Sequence, residues 1–234
     1  YLEGGSSTLL KALHAEIEKN GGEVMLNTPA SKVVIENGQV VGVEINNSVE
    51  PFDSVISTIP IPYVSKLIPD LPSALIKKFD SVKNIAVVCV IVKLQKPLTG
   101  NFWLNVNDPD MDIPGLVEYS NLRELDKHIV YVPFYMPGEH PKFADNDQVF
   151  LDKVRRYLKV INRDLCDEDF IELRASRYRY AQPICEPEFL SRLPPVGLPI
   201  KGLWVADTSY YYPEDRGISE SIDFGKKLAK RVVT

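Results

Sequence analysis

The chain has 234 residues, 44% hydrophobic and 25% charged, with 27 basic and 32 acidic side chains and a net charge of −5. This balance describes one or two globular domains with a sizeable core, and it excludes general disorder, a collagen-like repeat and a broad basic footprint for nucleic acid. The longest apolar run, Ile85 to Val92, is far short of the ~20 residues that cross a bilayer and suits a buried strand, so no integral membrane segment is expected.

The chain starts at Tyr1, without an initiator Met and without a basic stretch leading into an apolar one, and it reads as a piece of something longer. Glu3-Gly4-Gly5 followed by Ser6-Ser7-Thr8 is a glycine turn running into helix-capping residues. Leu10, Leu13 and Ile17 then recur on one helical face, and Asn20-Gly21-Gly22 stops the helix. Val24 to Leu26 reads as a short strand. Lys32 to Glu36 and Gln39 to Ile45 flank Asn37-Gly38, the strongest short hairpin signal. Asn46-Asn47 turns the chain again, and Val49 to Thr58 reads as one strand. Ile59-Pro60-Ile61-Pro62 punctuates the sequence and marks an expected domain crossing.

Short helical patterns broken by Pro69 and Pro72 fill Tyr63 to Phe79. Strands are expected at Ile85 to Leu94, Phe102 to Val106, Gly115 to Tyr119, Ile129 to Tyr135 and Phe170 to Tyr180, the last with Arg and Tyr alternating. An acidic turn covers Asn107 to Asp112, and a helix covers Asp147 to Val160. Ala181 to Pro199 is proline-rich loop, Lys201 to Ala206 a short strand, and Ser219 to Val232 a final helix. The fold class expected is α/β plus α+β. Residues 1–62 and 181–234 would form one domain, and residues 63–180 an antiparallel-sheet domain inserted into it.

Cys89, Cys166 and Cys185 are scattered, without a CxxC, and His14, His128 and His140 form no HExxH. Neither a disulfide framework nor a metal site is expected, and a reducing, cytoplasmic setting follows. The basic end of the last helix, Lys226, Lys227, Lys230 and Arg231, suits the helix dipole and solvent.

The most informative stretch runs from Gly202-Leu203-Trp204-Val205-Ala206-Asp207 to Asp215-Arg216-Gly217-Ile218-Ser219. A strand ends at an acid, a loop follows, and a glycine opens a helix. Open α/β sheets bind ligands beyond the carboxyl ends of their strands, and a helix start favours electron-rich oxygen. Asp207 therefore either accepts hydrogen bonds from a ligand or caps a turn, and Gly217 either admits a flat ligand or merely permits a turn. Tyr211, within Tyr210-Tyr211-Tyr212-Pro213, either lines a substrate cavity or packs a loop. Arg177, Arg179 and Arg216 either hold an anionic substrate or form structural ion pairs.

Taken together and in order, several segments resemble the C-terminal half of FAD-dependent oxidoreductases of the amine oxidase, protoporphyrinogen oxidase and phytoene desaturase group. They are Glu3-Gly4-Gly5, Gly21-Gly22-Glu23-Val24 through Asn27-Thr28-Pro29-Ala30-Ser31-Lys32-Val33, Gly38 to Val43 with Asp53 to Pro60, Tyr180-Ala181-Gln182-Pro183, and Gly202 to Asp207 with Gly217 to Gly225. The resemblance implies part of a Rossmann-type FAD-binding domain with an inserted substrate domain, whose sheet walls one side of the flavin. It implies FAD as cofactor and a small organic substrate giving a hydride to the flavin. The backbone near Ala30 would face adenine, Ala206 and Asp207 the ribityl or pyrophosphate, and Gly217, Ile218 and Ser219 the pyrimidine edge of the ring, with Tyr211 and Arg177 as candidate substrate contacts.

Three departures stand out. The chain carries no GxGxxG phosphate loop, so FAD would bind this chain alone weakly or not at all. Ala206 stands where the family more often has Gly. No Lys occupies the position near Val88 or Cys89 that many amine oxidases use, which argues against amine chemistry; with no acid–base pair evident either, no catalytic side chain is assigned. Two further readings share the fold: a reduced-flavin mutase gripping a diphosphate through Arg177 and Arg179, and a non-enzymatic binding protein. A homodimer is left open.

Overall fold

The computed structural model describes residues 2–233. In chain order the elements are α1 (Ser6–Lys19), β1 (Ala30–Glu36), β2 (Gln39–Ile45), β3 (Ser48–Pro51), β4 (Val55–Ser57), α2 (Val64–Leu67), α3 (Ser73–Asp80), β5 (Asn84–Leu94), β6 (Trp103–Asn105), β7 (Gly115–Glu118), β8 (His128–Pro137), α4 (Asp147–Ile161), β9 (Phe170–Pro183), α5 (Phe189–Arg192), β10 (Leu203–Val205) and α6 (Ile218–Val233). Contacts gather them into two units. The first holds residues up to Ser57 with Tyr63–Leu71 and Pro195–Val205. The second holds Thr58–Pro62, Pro72–Pro194 and the residues from Ala206 on.

The first unit is built on turn chemistry. Asn37 and Gly38, at φ 50 and 77°, take the left-handed pair that a two-residue hairpin needs, and Glu36 faces Gln39 across the turn between β1 and β2. Asn46 and Asn47, at φ 52 and 62°, repeat the device between β2 and β3. The strand expected across Val49 to Thr58 is two strands with different partners: β3 follows β2, with the Phe52 N–H still reaching the Val41 carbonyl at 3.2 Å, and the chain then leaves that sheet. β4 then pairs in parallel with β10, Val55 against Leu203. Gly202, at φ 81°, makes that approach possible: a Cβ there would lie 2.4 Å from the Asp53 carbonyl. Val24 to Leu26 forms no strand; among the described residues none pairs with it, and an unpaired backbone has no reason to stay extended. α1 forms where expected, but it buries no residue, and Leu10 remains 65% exposed.

The second unit is organised by a five-stranded antiparallel sheet in the order β6-β7-β8-β5-β9. The unbroken run at β5 reads as a buried strand because it is central, with β8 on one side and β9 on the other. Its alternate residues Ala86, Val88, Val90, Val92 and Leu94 meet Val130, Val132 and Phe134 of β8 and Phe150, Val154 and Leu158 of α4 in one core cluster. Asn146 caps α4 by accepting the Gln148 N–H at 2.9 Å. Asp112 staples the segment before β7 to this helix, accepting from Lys153 at 2.6 Å, from the Tyr157 hydroxyl at 2.6 Å and from Lys142 at 3.1 Å. Glu118 is wholly buried, and its carboxylate takes the backbone N–H groups of Leu98 and Thr99 at 2.8 and 2.7 Å.

This grouping differs from the expected division at 62/63 and 180/181. Residues 63–71 stay with the first unit because α2 packs on β1 and Asp70 pairs with Lys32 at 2.7 Å. Residues 206–234 go with the second, for reasons that lie in the site described below.

Burial pushes the Asp112 carboxyl upward, but the hydrogen bonds from Lys153, Tyr157 and Lys142 outweigh it and hold the group well below the usual carboxylate range. A carboxyl depressed by folding contributes stability that is present above its unfolded value of about 3.9 and is lost as the pH falls toward its folded value. Asp112→Asn should lower the urea midpoint at pH 7 and flatten the loss of stability below about pH 4. Urea titrations of both proteins across that range check it.

Candidate active site

The strand β9 does not run regularly to its end. Val87 faces Tyr178 and Ile85 faces Gln182, so one residue of β5 is matched by three of β9, Arg179 to Ala181. A bulge of this kind bends a strand and re-aims its side chains. Here it accompanies a cavity of about 550 Å³, within the range of small-molecule pockets, and all of its lining residues belong to the second unit. Tyr178, Tyr180, Tyr211 and Phe224 supply aromatic surface, and Thr58, Asn84, Ser221 and Arg216 supply polar groups.

Asp207 fixes the rim. Its carboxylate accepts the Ile61 N–H at 2.8 Å through Oδ2 and the Ser209 N–H at 2.8 Å through Oδ1. It therefore caps the 3₁₀ turn Thr208–Tyr211 and joins it to the segment that leaves β4. Tyr210 is held from behind, its hydroxyl donating to the Pro194 carbonyl at 3.0 Å; burial, with the Asp207 charge adding, pushes that hydroxyl well above its ordinary value. Both Tyr210 and Tyr211 pack against Phe224, with ring centroids 6.2 and 5.6 Å away.

The opening of α6 is set by short local links. The Tyr211 hydroxyl donates to Ser221 Oγ at 3.1 Å, and Ser221 Oγ donates to the Gly217 carbonyl at 2.9 Å. The guanidinium of Arg216 donates to the Ala181 carbonyl and to Gln182 Oε1, tying the helix start to the end of β9. The first N–H groups of an α-helix have no acceptor within their own helix and carry its positive dipole end. Two turns further in, Gly225 lines the cavity, and a Cβ there would meet no atom within 4 Å.

The expected site residues separate in space. Ala206, Asp207 and Tyr211 line the cavity. Gly217, Ile218 and Ser219 lie at the head of α6, whose Ser221, Phe224 and Gly225 line it. Ala30 begins β1 in the first unit. Arg177 does not reach the cavity: it lies on the core face of β9, donating to the Phe143 and Asp145 carbonyls and to the Asp147 carboxylate, with its guanidinium 5.5 Å from the Phe150 ring centroid. Asp207 caps the turn and also lines the cavity. Of the wall residues, Tyr180 stands in a segment that carries the family resemblance, whereas Tyr178 and Phe224 have no role assigned from sequence; the Arg-Tyr alternation at 177–180 is the signal that could have found Tyr178.

Among the described residues, no group of three or more His, Cys, Asp and Glu is placed to hold a metal, and no helix is long and apolar enough to cross a membrane. The family model of flavin-containing amine oxidoreductases matches residues 1–182, and the chain belongs to that family. No sequence among curated proteins matches it. Among solved structures it is similar to a "putative protoporphyrinogen oxidase" from Exiguobacterium sp. 255-15, at 18% identity and a TM-score of 0.76 over 99% of this chain and 51% of the other. It is also similar to an oxidoreductase from Methanosarcina mazei, at 22% identity and 0.69 over 88% and 49%. A third similarity, at 13% identity and 0.58 over 81% and 45%, is to a reduced UDP-galactopyranose mutase. The chain spans about half the length of each of these structures, and at these identities the likeness is one of fold, a mixed α/β architecture with several sheets.

Asp207→Ala should destabilise the protein by about 2 kcal/mol, because two backbone donors lose a charged acceptor. Asp207→Asn should recover part of that loss. Urea denaturation measures the cost, and faster amide exchange at Ile61 and Ser209 locates it.

Proposed function

We propose that this chain is part of an FAD-dependent oxidoreductase, and that the cavity beside the β9 bulge receives the flavin ring and the substrate. The observation that carries the reading is the meeting, in one cavity, of aromatic walls and the rim that leads into α6. A flat, apolar ring suits Tyr178, Tyr180, Tyr211 and Phe224, and the space beside Gly225 leaves room for its edge. The helix start, held by Arg216 and by the Tyr211–Ser221 link, favours negative charge on an electron-rich ring.

These residues fit the ring end of the cofactor. The chain contains no glycine-rich phosphate loop between a strand and a helix, so the pyrophosphate end is not theirs to hold. Bound FAD supplies a two-electron acceptor for a hydride from a small organic substrate. The side chains contribute position and electrostatics: aromatic walls align substrate, and the cavity excludes water. Asp207 is committed to two backbone donors and acts as a frame for the rim. On this reading residues 1–62 and 181–234 complete a Rossmann-type FAD domain, Ala30 lies toward adenine, Gly217, Ile218 and Ser219 lie toward the pyrimidine edge, and the five-stranded sheet belongs to an inserted substrate domain. The mutase reading is the less favoured, since three donors of Arg177 are engaged by Phe143, Asp145 and Asp147 on the core face of β9 and away from the cavity.

The test is the visible absorbance spectrum of the protein expressed at its natural full length. A flavin spectrum is expected, and its absence even after FAD is added would overturn the proposal. A variant sharpens the placement. Gly225→Leu should hold or raise the melting temperature, since Leu is the better helix former by up to about 1 kcal/mol. It should nevertheless lower the flavin-to-protein absorbance ratio by filling the cavity. An unchanged ratio would place the ring elsewhere.

A further inference from the structure

A second cavity, of about 490 Å³, lies in the same unit and shares two lining residues with the first, Asn84 and Tyr180. Tyr180 stands within the β9 bulge, and Asn84 begins β5 at the same end of the sheet. Asn84 and Tyr180 thus border both cavities. The chambers differ in character. The first combines its aromatic walls with Asp207, Asp215 and Arg216, whereas the second sets Asp80, Lys83, Glu139 and Arg179 beside apolar Pro62, Val82 and Ile184.

The charges of the second chamber are not equally available. Lys83 is bound to Glu186 at 2.8 Å. Asp80 is engaged in an interaction of its own. Arg179 donates one Nη1–H to the Gly138 carbonyl at 2.9 Å and sits 5.0 Å from the Phe143 ring centroid, while among the described residues no carboxylate pairs with it. One anchor and one ring hold the guanidinium plane and leave the rest of its donor fork unspent. Gly138 makes this seat: a Cβ there would approach Arg179 Nη1 to 3.0 Å and Cγ to 3.3 Å. A guanidinium on an exposed side chain, steadied at one N–H and over one ring, suits a carboxylate, which it meets with charge-assisted hydrogen bonds.

Resting on the proposed function of the first cavity, we infer that the two chambers form one bipartite substrate site. It takes an elongated molecule with an apolar aromatic end in the first chamber and a carboxylate arm that passes Tyr180 to reach Arg179 in the second. Glu139 lines the same chamber and opposes the arm, which keeps its hold modest.

The experiment is isothermal titration of the purified full-length protein with ω-phenylalkanoates of increasing chain length, each beside the phenylalkanol of equal length. Short acids and alcohols should bind alike. Beyond the length that passes Tyr180, the acids should bind about 10-fold tighter, the value of a charge-assisted hydrogen bond. Arg179→Gln should erase that preference and leave the alcohols unchanged. Gly138→Ala should weaken it by displacing a guanidinium whose charge is retained. Glu139→Gln should strengthen it, and Tyr180→Trp should weaken long probes but not short ones. Acids and alcohols binding alike at every length, a preference already complete with the shortest acid, or a preference that survives Arg179→Gln would each overturn the inference. A full-length protein without flavin that still shows the length-dependent preference would overturn only the redox reading, and a flavoprotein indifferent to the probes would overturn only this one.

Discussion

The carboxylate of Asp207 is the constraint on which the candidate site depends. Two backbone N–H groups, from Ile61 and Ser209, end on its two oxygens. Those residues stand 148 positions apart in the chain, yet a single side chain sets the separation of the segment leaving β4 and the turn following β10. A neutral cap could accept one such bond well. An ionised one accepts both with the greater strength of charge-assisted bonds. The aromatic residues of the turn, Tyr210 and Tyr211, take their places because that turn is fixed, and Phe224 of α6 packs against both.

The second organising feature is the irregular end of β9. A regular ladder would have kept Tyr180 on the alternation of Tyr178 and continued the sheet. The extra residues between Tyr178 and Gln182 interrupt the pairing with β5 and leave carbonyl groups available for Arg216. The same departure makes Tyr180 a shared wall of two cavities. The central strand can accommodate this because its other neighbour, β8, pairs with it without a break from Ile85 to Leu94, so the core is held while one edge is reshaped.

Arg177 and Arg179 show how position alone separates residues of identical chemistry. Both are arginines on one strand, two residues apart. Arg177 is packed against Phe150 and surrounded by acceptors that it satisfies, so it works as a clasp between β9 and the start of α4. Arg179 belongs to the bulge, where it gains one carbonyl and one ring and borders a cavity. A diphosphate-gripping pair would need both guanidinium groups turned to one site, whereas Arg177 packs on Phe150 and Arg179 borders a cavity.

Much was legible in the residues themselves where local chemistry decides. Asn37-Gly38 and Asn46-Asn47 dictated their turns because few other residues accept positive φ. The apolar run at Ile85 to Leu94 declared a central strand, and the spacing from Asp147 declared α4. The order of short motifs declared the flavin-containing amine oxidoreductase family. What depended on distant partners was not written in any one segment. Val24 to Leu26 has strand composition but no strand beside it, and the run from Val49 to Thr58 that looked continuous divides between two partners, β2 and β10. The roles of Asp207, Arg177 and Arg179 were each left with two readings, since a carboxylate or a guanidinium has the same chemistry whether its partner is a ligand or a backbone. Only the tertiary structure, by bringing Ile61 to Asp207 and Asp147 to Arg177, decided which groups were already satisfied and which remained available.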